Sequence, residues 1–468
     1  MIFNTMAYSL VLPDENILII MNIKKLILPI LFIFTFSGIF SQEKWTLEDC
    51  IDYAVSNNLQ LQRQRLENET AEANLLKSKM DVLPNLNFGA NARVGFGRSI
   101  DPVTNLITFK QNLSNSYNLS SSINLFNGFT QLNTISANKF MLKAGLENEK
   151  VARNTLIINV LGAYYQVLYA KGLEDAAKMQ VDLSEEQLER MRVTVDVGKE
   201  AVSRLYEMES RASEDRLAYT VAVNSTKQAI TSLRQLLQLE PGTPFDLLMP
   251  ELDNVIIENT SFRADSVYSI AAEILPRLKA INYELQASRK QLAAARGSVY
   301  PQISLNGSLF TGYYKVIGEG VPDQDSFSTQ LKNNNSQSIS ASINIPIFNN
   351  YTIGRNIKMA KIRQNDNELR LELEKNALYT EIENACLNYN QGRDEYIAAV
   401  SNLEYNLKSY DAVEKKFEAG LVDVTDFSAA KTTLFRADTE ALRTKLQLLI
   451  RELTIEFYST GEYKTTIR

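Results

Sequence analysis

The sequence predicts an α+β membrane protein in which long α-helical hairpins pack as a coiled-coil-like bundle and four β-strands contribute to a transmembrane β-barrel shared between copies of the chain. Three observations predict it. The chain is written twice, each copy carries two amphipathic strands of membrane-crossing length, and each copy then runs through a helix too long for an ordinary globular domain.

The duplication is read from register. The segment Leu75 to Leu86, with Pro84-Asn85-Leu86 at its end, aligns with Leu292 to Ile303, ending Pro301-Gln302-Ile303, at an offset of 217 residues. Ser122-Ile123-Asn124 then matches Ser342-Ile343-Asn344, and Phe126-Asn127 matches Phe348-Asn349 at an offset of 222, which Gly198 and Gly420 keep. Similarity by chance does not hold register over so long a stretch.

After each matched proline the hydrophobic period changes to two. Leu86, Phe88, Ala90, Ala92, Val94 and Phe96 alternate with Asn87, Gly89, Asn91, Arg93 and Gly95, and Tyr117, Leu119, Ser121, Ile123 and Leu125 alternate with asparagines and serines. Copy two repeats this through Ile303, Leu305, Gly307 and Leu309, then Ile339, Ala341, Ile343, Ile345 and Ile347. Strands are expected over 84–98, 114–126, 301–314 and 337–348, with the aromatics Phe96, Tyr117, Tyr313 and Tyr314 towards their ends. A tilted strand of about 10 residues crosses an outer membrane, and a face of Asn, Ser, Gly and Gln suits a watery lumen. A soluble sheet with one wet face shows the same alternation, but long helices between its strand pairs suit it poorly. Four strands do not close a barrel, because membrane barrels begin at about eight, so several copies must share one under cyclic symmetry.

Helix follows each strand pair. No proline occurs between Val103 and Glu240 or after Ile347. Apolar residues such as Leu156, Val160, Ala163, Val167 and Ala170 keep helical spacing from Thr130 to Val197, a run of about 100 Å at 1.5 Å per residue. A matching run goes from Tyr351 to Ala419. Gly198 and Gly420 cap the two runs, and return helices are expected over 203–239 and 425–457. Repeat 1 is thus 43–239 with its turn at 198, and repeat 2 is 273–458 with its turn at 420. The proline-rich 240–272 is a linker, and 459–468 is a tail.

At the other end, Lys24-Lys25 and the apolar run Leu26 to Phe40 have the form of a secretory signal, with cleavage expected after Ser41 and a mature start near residue 42. Residues 1–20 form an upstream extension, and the true start codon is Met1 or Met21.

The 468 residues contain no histidine, which removes the commonest general base and metal ligand. Cys50 and Cys386 stand far apart and read as buried small residues, not as a metal or redox pair. No enzyme activity, cofactor or metal is expected. A net charge of -6 gives nucleic acid no electrostatic attraction.

Several local patterns carry a family likeness: Trp45-Thr46-Leu47-Glu48-Asp49-Cys50-Ile51-Asp52-Tyr53-Ala54 followed by Asn57-Asn58, the two proline-started strands, Asn344-Ile345-Pro346-Ile347-Phe348, and Phe417-Glu418-Ala419-Gly420 leading to Ala429-Ala430-Lys431-Thr432-Thr433-Leu434. In this order, and duplicated, they resemble the TolC family of outer-membrane efflux proteins from Trp45 to Tyr458. The resemblance implies a homotrimer with a shared barrel in outer-membrane lipid and a periplasmic helical tunnel. It also implies a periplasmic adaptor protein and an inner-membrane pump of the RND or ABC type. Gly198, Val202, Gly420 and Val424 occupy positions that resemble adaptor-contacting tips. Asp426 matches the first of two aspartates that narrow the closed end in some members, while Ala429 replaces the second. Arg204 is placed to pair with Asp426 or Asp423 across the closed tip; capping of the return helix by Asp423 is the plainer alternative. A periplasmic coiled-coil scaffold that never enters the membrane would explain the helices and the leader, but not the duplicated strands.

Overall fold

The computed structural model describes residues 44–101, 105–248, 262–319, 321 and 323–463. The expected leader and mature start, Pro102, part of the linker and residues 464–468 of the tail lie outside the described residues.

Two compact units are present. The small one joins residues 44–46 to 240–248: Trp45 forms a parallel bridge with Leu247 and stands edge-on to Phe245 at 5.3 Å between ring centres.

The large unit opens with α1 (Leu47–Asn57) and α2 (Leu59–Met80), where the Asn58 carboxamide caps α2 by accepting the Leu61 N–H at 3.0 Å. Next come β1 (Asn87–Gly95), the short pair β2 (Ser99–Ile100) and β3 (Ile107–Thr108), and β4 (Gln111–Asn127). The hairpin α3 (Thr130–Asp196) and α4 (Val202–Leu237) completes copy one. Copy two runs α5 (Ala264–Ile274), α6 (Pro276–Gly297), β5 (Gln302–Ile317), α7 (Phe327–Asn333), β6 (Ser336–Asn344) and the hairpin α8 (Thr352–Glu418) and α9 (Val424–Thr460).

The duplication is geometric as well as sequential. Helices α3 and α8 are both 67 residues long, about 100 Å at 1.5 Å per residue, and α4 and α9 begin at equivalent positions after their turns. Both long helices leave their strands through two left-handed residues, Gly128-Phe129 and Asn350-Tyr351. Both end on a glycine at positive φ, +77° at Gly198 and +70° at Gly420, and the following N–H bonds back to Thr194 or Lys416. A β-carbon is disfavoured there, which is why glycine ends both runs.

The four main strands form one antiparallel sheet in the order β1-β4-β5-β6. Strand bounds differ from expectation where backbone chemistry intervenes. β1 stops short of 84–98 because the Asn85 side chain, in place of a backbone carbonyl, accepts the Ser122 N–H at 2.8 Å, and Gly97 turns the chain at φ +94°. β6 ends at Asn344 instead of 348, two residues before Pro346, while β4 and β5 run past 114–126 and 301–314. Phe96 therefore lies beyond its strand, and Tyr117 lies within β4. Beyond β6, the exposed backbone of β5 is met by side chains: Gln330 accepts the Tyr314 N–H and donates to its carbonyl, and Gln324 does the same at Val316. Helix α7 and the β2-β3 pair were not expected, and α5 begins inside the segment read as linker.

The core is a series of apolar seams between helices. Val160, Leu161 and Tyr164 of α3 and Leu233 and Leu237 of α4 are buried. A second seam joins Val267 and Ala271 of α5, Leu378, Ile382 and Tyr389 of α8, and Leu448 and Ile455 of α9. Among the described residues no helix is long and apolar enough to cross a membrane.

Candidate channel wall and helical tips

Alternation along the sheet separates two faces. One row across the strands is Asn87, Ser120, Ser308 and Ser338, and rows two residues on add Asn118, Ser122, Asn306 and Ser340. Serine hydroxyls meet across it, Ser304 with Ser342 at 2.7 Å and Ser308 with Ser338 at 2.8 Å. Arg93 brings a positive charge to this polar face. The opposite face carries Phe88, Leu119, Leu305, Leu309, Ile339 and Ile343, all exposed, Ile339 by 84%. An apolar surface of this extent facing outward requires lipid or protein against it, and it ends in an aromatic group in which Phe327 stands edge-on to Tyr117 and Tyr313. The sheet thus separates a wet side from an oily one.

At the other end of the long helices are the two turns. The Asp423 carboxylate accepts the Asp426 N–H at 2.9 Å, so it caps α9, while the Asp426 side chain is exposed. Within the chain Arg204 pairs with Glu200 at 3.3 Å, not with Asp423 or Asp426. A partner four residues away on the same segment is reached with less ordering of two long side chains than one across the turn. Val202 is 51% exposed, and Gly198 and Gly420 sit at the open turns. Val424 differs from the expectation for a contact residue: it is 2% exposed and packs among Leu188, Met191, Met208 and Ala212, because the first turn of α9 lies against α3 and α4. Leu421, exposed, takes its place at the tip surface.

A polar cluster that sequence reasoning missed lies along the same helices. Lys431, 7% exposed, donates to the Gln180 carbonyl at 2.9 Å, Ser184 Oγ at 2.7 Å and Asp215 Oδ2 at 3.0 Å, and Ser184 also donates to Asp215. Burial pushes the lysine's pKa down, against the opposing pull of Asp215. The signal was present: Lys431 follows Val424 and Phe427 at helical spacing, on the buried stripe.

Cys50 and Cys386 are both free and buried. Among the described residues no cluster of carboxylates and thiols has the form of a metal site.

The geometry has known counterparts. The outer membrane efflux protein family matches residues 50–238 and 267–460, one segment in each half. The chain is 23% identical over 444 residues to outer membrane protein TolC of Escherichia coli, covering 92% of this chain and 86% of that one. It is 22% identical to the toluene efflux pump outer membrane protein TtgC of Pseudomonas putida, over 87% of this chain and 81% of that one. The fold matches the outer membrane channel CmeC of Campylobacter jejuni with a TM-score of 0.75 at 18% identity, over 90% of this chain and 86% of that one. With the family matched along most of its length, its sheet divided into a polar and an apolar face and its helices paired in long hairpins, the chain belongs to the outer membrane efflux protein family, as an outer-membrane channel protein and not an enzyme.

Proposed function

We propose that this protein is the exit duct of a tripartite efflux or secretion system, a homotrimer that passively conducts substrates delivered by an inner-membrane pump of the RND or ABC type through a periplasmic adaptor protein. The observation that carries it is the four-stranded sheet with a polar and an apolar face and an edge strand on each side. A single chain leaves backbone groups of both edges bare in lipid, whereas identical neighbours satisfy them. TolC and TtgC, the second named for toluene efflux, support the transport reading.

In this assembly Gly198, Val202, Gly420 and Leu421 face the adaptor, and Asp426 stands near the closed end as a gate candidate. Asp423 is a cap first, and Arg204 holds Glu200. Three measurements test the proposal: mass in detergent, conductance in planar bilayers, and sensitivity of a deletion strain to toxic compounds. Recovery as a detergent-free monomer, with no conductance, overturns it in favour of a periplasmic scaffold.

A further inference from the structure

β1 and β6 are the two edges of the sheet, and neither has a second strand partner among the described residues. Both are nine residues long. Each is bounded by a residue that ends pairing: Asn85 and Pro346 near the helices, Gly97 and the end of α7 at Asn333 on the far side. Successive strands are antiparallel, so β6 of one copy meets β1 of the next copy antiparallel as well.

We infer that these edges join in one register, Asn344 opposite Asn87, Ser340 opposite Asn91 and Ser336 opposite Gly95 of the neighbouring copy, an inference that rests on the trimer proposed above. The two faces set the first constraint. Polar-face positions are odd on β1 (Asn87, Asn91, Arg93) and even on β6 (Ser338, Ser340, Ser342), so a slip of one residue would turn every side chain to the wrong side. Allowed registers differ by two. Of these, one pairs all nine residues of both strands, and it also sets Phe88 against Ile343 and Ala92 against Ile339 on the lipid side.

Closure supplies the second constraint. A line perpendicular to the strands runs from Asn87 through Ser120 and Ser308 to Ser338 within one chain. In the inferred register Ser338 meets Arg93 of the next copy, so each chain shifts the line by about six residues and three chains give a shear of about 18. With a rise of about 3.3 Å, a spacing of about 4.8 Å and about 12 pooled strands, the tilt is roughly 45°. Slips of two residues give tilts of roughly 35° or 55°. The steeper leaves the usual range of about 35–45°; the shallower keeps it but strips pairing from two residues of each edge.

Cysteine pairs read the register directly. In one chain Asn91 and Ser340 are separated by β4 and β5, about 14 Å or more and beyond disulfide reach, so any bond between them joins two copies. In a Cys50→Ala, Cys386→Ala background, Asn91→Cys with Ser340→Cys should give covalent dimers and trimers on copper-phenanthroline oxidation, whereas Asn91→Cys with Ser338→Cys or Ser342→Cys should not. Phe88→Cys with Ile343→Cys reports the same register from the lipid face, should the first pair assemble poorly. Cross-linking by a shifted pair, or by none, in protein of trimeric mass overturns the register. A single-chain mass by native mass spectrometry, taken before oxidation, overturns the trimer instead.

Discussion

Lys431 and Asp215 belong to opposite copies of the duplication, yet the ammonium of one lies 3.0 Å from the carboxylate of the other. Through the same ammonium, α9 is tied to the Gln180 carbonyl and Ser184 hydroxyl of α3. The two hairpins are therefore linked by a charged contact, buried at the lysine and partly open to water at the aspartate, as well as by apolar packing. A buried charge left alone is far more costly than a buried pair, so each partner depends on the other.

Lys431→Ala and Asp215→Ala should each lower the apparent Tm in detergent, each by a loss of about 2–4 kcal/mol. The double variant should lose less than the two single losses together, a coupling of about 1–3 kcal/mol. Additive losses would show that the pair contributes nothing as a pair.

Asp423 and Asp426 should separate cleanly. Asp423→Ala removes the cap of α9 and should cost about 1 kcal/mol, seen as a small fall in Tm. Asp426→Asn should leave Tm unchanged while lowering cation preference, read as reversal potential across a bilayer under a KCl gradient. An unchanged potential removes Asp426 from the gate.

The two faces of β6 should respond oppositely to the same charge. Ile339→Arg, on the apolar face, should cost about 2–4 kcal/mol near the bilayer centre and cut the yield in the outer membrane. Ser340→Arg, next in sequence but on the polar face, should assemble and change conductance. Equal yields would mean that the face assignment is wrong.

Alkali should loosen the contact of α1 with α3. Burial pushes the Cys50 thiol from its ordinary 9.0 up to about 12 and the Tyr164 phenol from 10.0 up to about 12. Both values are raised, so the protonated groups contribute stability that is complete below their ordinary values and is lost as pH climbs from about 9 to 12. Tyr164→Phe should flatten the decline of Tm over that range, and Cys50 should resist thiol reagents near pH 8 until the protein unfolds.

Much of this arrangement was legible in the residues. Glycine at two turns 222 residues apart, and apolar alternation beginning at each matched proline, located hairpins and strands because backbone freedom and side-chain period act locally. The same locality explains what stayed hidden. That Val424 faces inward and that Gln324 and Gln330 cover bare strand backbone depend on which elements lie alongside, and helical or strand spacing does not state this, whereas Arg204 with Glu200, four residues apart, is a local pair that the spacing did offer. Lys431 stood on an apolar stripe in plain view, but its partners come from the other half of the chain.

Equal length in α3 and α8 places a constraint on how such a chain can change. Removing seven residues from one hairpin arm alone would draw its end back by roughly 10 Å while the other stayed put, leaving a stepped rim that no flat partner could meet squarely. Insertions and deletions must therefore arrive in matched sets across both halves, so the tunnel's depth is inherited as a shared measurement.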